Sequence, residues 1–306
     1  KVIEVAPAPG LDADLRQRIL ADAVKLVQAA GYVNAGTVEF LVCPERGEHF
    51  FMECNSRIQV EHTVTEQVTG IDLVEAQFHI AAGATLESLG LRDQHAVGAP
   101  RGFAVQARIV AQGAGTLTAY KEPSGPGVRV DACGYLGYTP PPQFDPLLAK
   151  LICQSTSALS FASAVDRTLR ALDEFHIAGL PTNLKQLRAI LAHPNFRAGD
   201  ARTSLLAEAP ELMQTGRAAA SKGTVNNGAL KLLDQQASFV GRGTSSTIAS
   251  KPSELPALTV AEGQRSVECP MAGSVIELNV KQGADVSAGD TLMVITAMKM
   301  ETAVTA

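Results

Sequence analysis

Two runs of β-forming residues each carry one glutamate at a similar distance from the segment between them. The runs are Thr37-Val38-Glu39-Phe40-Leu41-Val42 and His49-Phe50-Phe51-Met52-Glu53-Cys54. Pro44-Glu45-Arg46-Gly47-Glu48 separates them and suits a hairpin loop. Centring that loop on Arg46 makes Glu39 face Glu53, and a one-residue slip would part them. Directly opposed side chains have Cβ atoms about 5 Å apart, where like charges repel. A divalent cation with oxygen ligands, Mg²⁺ or Mn²⁺, would offset the repulsion while sharing its shell with substrate phosphates. Two glutamates on a solvated hairpin face would fit the same pattern.

The residues that follow narrow the choice. Glu53, Asn55, Arg57, Gln59 and Glu61 occupy successive odd positions and would line one face of an extended chain. The series runs acid, amide, guanidinium, amide, acid, unlike the Lys, Thr and Ser mix of a bland edge strand. Asn55 adds an oxygen donor beside the two glutamates. Arg57 offers a planar fork for a small oxyanion. Gln59 can orient that anion, and Glu61 is a candidate general base beside it.

A third constellation lies near the other end. Ala297-Met298-Lys299-Met300 follows the apolar run Leu292-Met293-Val294-Ile295-Thr296 and precedes Thr302-Ala303-Val304. A lysine at such a hairpin tip is open to an enzyme that acylates its amine, and methionines are adaptable surface for that enzyme to grip. An ordinary surface lysine would read the same way.

The positioning elements follow from periodicity. Residues 11–30 predict an amphipathic helix, with Leu15, Ile19, Ala23 and Val27 four apart and Gly31 as its stop. Residues 71–82 predict a second, closed by Gly83. Strands are expected at 103–110 and 127–131, with a short apolar segment at 145–153; Pro140-Pro141-Pro142 bars a central strand there. Helices are expected at 162–173 and 182–192. Residues 214–264 are rich in Gly, Ser, Thr, Ala and Gln and read as a linker with one helical piece at 228–236. A compact β pattern returns over 267–296.

Composition bounds the rest. The 306 residues are 46% hydrophobic and 19% charged, an ordinary globular mix with room for one to three domains. The net charge of −5 and the absence of a Lys/Arg run argue against nucleic acid or an anionic membrane as main partner. No stretch approaches the roughly 18 apolar residues of a membrane helix. Cys43, Cys54, Cys133, Cys153 and Cys269 are scattered and odd in number, which suggests reduced thiols and a cytoplasmic location.

Longer motifs carry a family resemblance. Gly36 to Phe40 and Glu53-Cys54-Asn55-Ser56-Arg57-Ile58-Gln59-Val60-Glu61-His62-Thr63-Val64-Thr65-Glu66 resemble biotin carboxylase, the ATP-grasp component of biotin-dependent carboxylases. Lys1-Val2-Ile3-Glu4, Gly127-Val128-Arg129 and Phe144-Asp145-Pro146-Leu147-Leu148-Ala149-Lys150 are similar to the same family. Ala297-Met298-Lys299-Met300-Glu301 resembles the attachment site of biotin carboxyl carrier domains, and Pro270-Met271-Ala272-Gly273 the start of such a domain.

The resemblance implies a mixed α+β and α/β architecture. It has the C-terminal part of an ATP-grasp domain (1–95), a biotin carboxylase C-terminal domain (96–208), a linker (209–264) and a partial all-β biotinyl domain of barrel-sandwich type (265–306). It implies ATP-dependent carboxylation of biotin by bicarbonate through carboxyphosphate. Glu39, Glu53 and Asn55 would hold Mg²⁺ or Mn²⁺ on ATP phosphates. Lys1, Arg57, Gln59 and the Val60 backbone would hold bicarbonate, and Glu61 would take its proton. Arg129 would stabilise the enolate-like biotin oxygen, and Lys299 would carry biotin. The implied partners are a carboxyltransferase subunit or domain, a biotin protein ligase and a second copy of the chain. An acyl-CoA carboxylase α-type subunit and pyruvate carboxylase both suit the motifs, and the acceptor is unspecified. A non-catalytic carrier subunit and another ATP-grasp ligase, such as a carbamoyl-phosphate synthase, remain rivals.

This chain reads Val110-Ala111-Gln112-Gly113-Ala114-Gly115 where the family often has an acidic stretch. The family's nucleotide lid, glycine-rich loop and ATP-contacting lysines precede the position of Lys1, and Ala306 falls just past the first half of a biotinyl barrel. Residues 1–306 alone are therefore expected to bind ATP poorly and to fold their last part weakly.

Overall fold

A computed structural model describes residues 1–141, 144–156, 160–214, 266–267, 269, 274–297 and 300–306. The expected linker helix at 228–236 and the residues Met298 and Lys299 lie outside these.

The chain opens with β1 (Ile3–Ala6) and α1 (Ala13–Ala29). Asp12 caps α1 by accepting from the Leu15 N–H at 2.9 Å, and Gly31 follows its end in the left-handed region (φ 60°). The hairpin β2 (Thr37–Cys43) and β3 (Glu48–Asn55) comes next, joined by a 3₁₀ turn at Pro44–Arg46. Then come α2 (His62–Thr69), α3 (Leu73–Ala81) and the single turn α4 (Gln94–Val97).

The second region holds β4 (Phe103–Val110), β5 (Ala119–Lys121), β6 (Val128–Ala132), β7 (Leu147–Ser155), α5 (Phe161–Glu174), β8 (His176–Ala178) and α6 (Leu184–Ala192). β1 joins this region as an edge strand. The main sheet is antiparallel with order β1-β4-β7-β6.

Alternation along these strands gives the sheet two unlike faces. Val105, Ala107, Ile109, Ala149, Leu151 and Cys153 point one way, into a core completed by Ala164, Val165 and Leu172 of α5 and Leu187 and Leu191 of α6. On the other face Ala104 and Ile152 meet Val64 and Val68 of α2, with Ala6 against them. That face also carries charged and polar side chains. Glu4 lies on β1, Gln106 and Arg108 on β4, Lys150 on β7, and Arg129 and Asp131 on β6.

The expected helices and strands appear with ends moved by a few residues. Several elements were not expected, α4, β5 and β8 among them, and two others, β1 and α2, bear on the polar face. β1 is a strand of only four residues, too short for alternation to announce it. α2 carries β-branched Thr63, Val64, Thr65, Val68 and Thr69, which disfavour helix. Burial of Thr63, Val64 and Val68 against the sheet overrides that preference, and Gly70 ends the helix at φ 75°.

Near the other terminus, β9 (Ser274–Leu278), β10 (Thr291–Ala297) and β11 (Met300–Thr305) form an antiparallel sheet of order β11-β10-β9. Ile295 and Val304 are its buried side chains among the described residues.

One junction is sterically exacting. Gly102, just before β4, sits at φ 73°, and a Cβ there would lie 1.9 Å from the Ser155 carbonyl oxygen on β7. Gly102→Ala is expected to cost about 2 kcal/mol or more of stability through clash and backbone strain. A urea unfolding curve with an unchanged midpoint would contradict this.

Candidate functional site

The hairpin brings the two glutamates together by a route the loop alone does not give. Next to the turn the pairs are Cys43↔Glu48, Val42↔His49, Leu41↔Phe50 and Phe40↔Phe51. Continued unbroken, that register would set Glu39 opposite Met52. The register instead shifts between Glu39 and Phe40, so Glu39 faces Glu53, Val38 faces Cys54 and Thr37 faces Asn55. The expected pairing is present, but the loop is not centred on Arg46. A bulge at Met52 supplies the missing residue and re-aims the carboxylate.

Extended backbone also stops earlier than expected. β3 ends at Asn55, where a turn closes with the Arg57 N–H donating to the Asn55 carbonyl at 2.8 Å. The His62 N–H then donates to the Gln59 carbonyl at 3.1 Å as α2 begins. Strand alternation therefore fails beyond residue 55. The side chains converge nonetheless, because two turns fold residues 56–61 back over the polar face of the main sheet.

Lys1, Glu39, Glu53, Asn55, Arg57, Gln59, Val60 and Glu61 all line one cavity of about 300 Å³, together with Arg108. Its carboxylates are tied down by neighbouring donors. Glu39 Oε1 accepts from Gln59 Nε2 at 2.5 Å and from Asn55 Nδ2 at 3.4 Å, and lies 3.5 Å from Lys1 Nζ. Glu53 Oε1 accepts from Asn55 Nδ2 at 2.8 Å. Glu61 Oε1 accepts from Lys1 Nζ and Oε2 from Arg108 Nη2, each at 2.8 Å. Arg57 donates to the Ile58 carbonyl at 3.2 Å.

These contacts set the charges. The hydrogen bond from Gln59 and the Lys1 ammonium hold the Glu39 carboxyl below its ordinary range, against a smaller opposing effect of burial. Burial pushes Glu61 upward, but the hydrogen bond from Lys1 and the charges of Lys1 and Arg108 outweigh it and leave the carboxyl lowered. The Lys1 amine is raised, chiefly by its hydrogen bond to Glu61. A carboxyl lowered on folding contributes stability above about pH 4.5 that is lost as pH falls; a raised amine contributes below about 10.5 and is lost as pH rises. The Lys1–Glu61 pair is thus intact across the neutral range.

The donor set suits a hard cation. Two opposed carboxylates and the Asn55 amide oxygen, presented by a flip of the amide, match the one or two protein carboxylates that Mg²⁺ takes alongside phosphate oxygens and water. Among the described residues no group of three or more His, Cys, Asp or Glu side chains could hold a metal.

Arg129 lies apart from this cavity. Its guanidinium makes a fork to Asp131 at 2.8 and 2.9 Å and reaches buried Glu66 at 2.7 Å. Lys150 joins the two places, 3.4 Å from both Asp131 Oδ2 and the Val60 carbonyl oxygen. Arg108, Lys150 and Glu4 were not anticipated as site residues. The signal was present in Gln106 and Arg108, two long polar side chains on alternate positions of an otherwise apolar strand.

Three family models match the chain in order. They are the carbamoyl-phosphate synthase L chain ATP-binding domain over residues 1–89, the biotin carboxylase C-terminal domain over 106–208, and the biotin-requiring enzyme domain over 265–306. A pyruvate carboxylase of Aspergillus terreus is 45% identical over 221 residues, which is 69% of this chain and 18% of that protein. A single-chain, multi-domain long-chain acyl-CoA carboxylase matches with TM-score 0.65 at 36% identity, covering 100% of this chain and 29% of that one. The biotin carboxylase domain dimer of 2-oxoglutarate carboxylase from Hydrogenobacter thermophilus, in complex with MgADP, ADP and bicarbonate, matches with TM-score 0.64 at 36% identity, over 69% of this chain and 47% of that one. The chain spans about a fifth of the length of the curated relatives it matches. Among the described residues no helix is long and apolar enough to cross a membrane.

The opposed carboxylates give a two-sided expectation. Glu53→Gln should raise the melting temperature slightly, by the few tenths of a kcal/mol that relieving a like-charge pair returns. It should also weaken Mn²⁺ binding in the presence of ADP at least about tenfold. Electron paramagnetic resonance titration of Mn²⁺ reads the second effect, and unchanged affinity would remove Glu53 from the metal set.

Proposed function

The chain belongs to the biotin-dependent carboxylase family, and we propose that it serves the ATP-dependent carboxylation of biotin by bicarbonate. One observation carries this reading: an opposed carboxylate pair and a cluster of Lys1, Arg57, Gln59 and Glu61 share a single cavity. The first half suits a divalent cation bridging nucleotide phosphates. The second suits a small oxyanion that must also lose a proton. The bicarbonate and MgADP in the complex of the 36%-identical relative support both assignments.

In this reading Glu39, Glu53 and Asn55 would hold a divalent cation, which would supply positive charge to the ATP phosphates. Arg57, Gln59, Lys1 and the Val60 N–H orient bicarbonate. Glu61, ionised because Lys1 and Arg108 keep its pKa low, accepts the bicarbonate proton. The deprotonated oxygen attacks the γ-phosphoryl group, ADP leaves, and carboxyphosphate forms. Positioning and charge stabilisation supply most of the acceleration in such a transfer. Biotin, when attached to Lys299, would supply the nitrogen that accepts the carboxyl group, and Arg129 would offer positive charge to the oxygen beside that nitrogen. That last role requires Arg129 to present a guanidinium edge beyond those held by Asp131 and Glu66. We further assign a carboxyltransferase and a biotin protein ligase as partners, self-association as a homo-oligomer, and a reducing, cytosol-like compartment consistent with the unpaired thiols of the five cysteines. The acceptor is set by the carboxyltransferase.

The rival of a different ATP-grasp ligase draws on the family model at residues 1–89. The match of residues 265–306 to a biotin-requiring domain favours carboxylation over it. Two variants of the whole protein separate the readings. Glu61→Gln should reduce bicarbonate-dependent ATP cleavage by about 10²-fold or more, and Lys299→Arg should abolish the streptavidin-reactive band. Full ATP cleavage by Glu61→Gln would overturn the base assignment. Persistent biotinylation of Lys299→Arg would overturn the carrier assignment.

A further inference from the structure

Glu61 has two oxygens, and they are held in different ways. Oε1 meets Lys1, whose side chain is 52% exposed. Oε2 meets Arg108, whose side chain is 16% exposed. Arg108 is in turn fixed from behind. Its Nε donates to Glu4 Oε1 at 2.7 Å, and Glu4 Oε2 accepts from Gln106 Nε2 at 2.7 Å. Gln106 is fully buried, and its amide oxygen accepts from the hydroxyl of buried Thr63. Thr63 stands two residues beyond Glu61 on α2, so the contacts close into a ring through β1, β4 and the start of α2.

The ring leaves little freedom. The Arg108 N–H donates to the Val2 carbonyl at 3.0 Å, and the Arg108 carbonyl accepts from Asn183 Nδ2 at 2.8 Å. Both ends of the Gln106 amide are used, which sets its orientation. Lys150 faces Arg108 directly across the ladder, and its positive charge disfavours any movement of the guanidinium toward β7.

We infer that Arg108 is a positioning residue that locks Glu61 Oε2, so that Oε1 alone is offered as the proton acceptor, with Glu4 as the anchor that aims Arg108. This rests on the proposal that Glu61 takes the bicarbonate proton. The step balances simply. The bicarbonate O–H bond breaks, an Oε1–H bond forms, and the Lys1 ammonium moves from Oε1 to the new carbonate charge. A lysine in place of Arg108 presents a single ammonium and cannot reproduce the fork that holds Glu4 through Nε and Glu61 through Nη2.

The test uses the whole protein with ATP, Mg²⁺ and bicarbonate. Arg108→Lys should lower kcat for bicarbonate-dependent ATP cleavage by about 10²-fold, the scale of a misplaced catalytic group, with KM for ATP unchanged. The acid limb of the pH profile should move to higher pH. A lysine ammonium drawn to Glu4 no longer stands against Glu61 Oε2, so Glu61 is held ionised less strongly, and the base works only when ionised. The double variant Arg108→Met with Glu4→Gln leaves no uncompensated charge at Glu4, so it should melt like the parent and show the same loss and the same pH shift. Glu61→Gln run in parallel separates the two claims. If Glu61→Gln is inactive while both Arg108 variants keep the parental rate and acid limb, the positioning role is wrong and the base assignment stands. If Glu61→Gln retains full cleavage, the base assignment fails and the positioning role falls with it.

Discussion

The structure turns on how like charges are made tolerable at close range. Glu39 and Glu53 face each other on the hairpin, and Arg108 and Lys150 face each other on the main sheet. Either pair alone would repel at a Cβ separation of about 5 Å. Partly buried charges left unpaired would cost several kcal/mol each. The segment 56–66 lies between the two pairs, and its Glu61 together with Lys1 and Asp131 alternates their signs. Glu61 answers Arg108, Lys1 answers Glu61 and Glu39, and Asp131 answers Lys150. The cavity exists because this segment must stay polar and irregular where it crosses the sheet.

Stability and chemistry are divided between the faces of one sheet. The α5 and α6 side is an apolar core of small and branched side chains, Val105, Ala107, Ile109, Leu151 and Cys153 among them. Burial pushes the Cys153 thiol up to about 11, so it behaves as one more apolar group there. The opposite face holds α2 through the small apolar patch of Ala104, Ile152, Val64 and Val68 and the polar ties of Thr63 to Gln106 and Glu66 to Arg129. That patch anchors α2 in a helical form that its β-branched residues resist, and the helix then sets the start of its own first turn, where Glu61 sits. The core reaches the chemistry through those few contacts.

The sequence reveals some of this and conceals the rest for definable reasons. Periodicity suffices for α5, which buries one regularly spaced face, while β4 and β7 are legible as apolar runs because both their faces are covered. The carboxylate pair is legible because the runs around Glu39 and Glu53 are both β-forming, yet the symmetric loop conceals that a bulge at Met52 does the aligning. The row from Glu53 to Glu61 is legible as a functional set. Its geometry is not, since alternation holds only as far as Asn55 and turn hydrogen bonds gather the rest. Arg108 and Glu4 are harder still. They lie 104 residues apart in sequence and are joined only by the pairing of β1 with β4, which no local pattern announces.

The same contacts explain how a site with so many charges can be stable without its ligands. Asn55 donates to both Glu39 and Glu53, standing in for the positive charge the two carboxylates need. Lys1 does the same for Glu61 and Glu39 on the exposed side. In the proposed function, binding exchanges partners rather than creating them. A cation can take the place of the Asn55 amide hydrogens once the amide turns its oxygen inward, and an oxyanion can take the Lys1 ammonium from Glu61. Each exchange leaves a carboxylate paired before and after, which keeps desolvation costs low on both sides of the equilibrium. Arg108 is the partner that does not exchange. It is bound behind by Glu4 and clamped through its backbone, so the carboxylate it holds keeps one orientation while everything facing the cavity is free to be replaced.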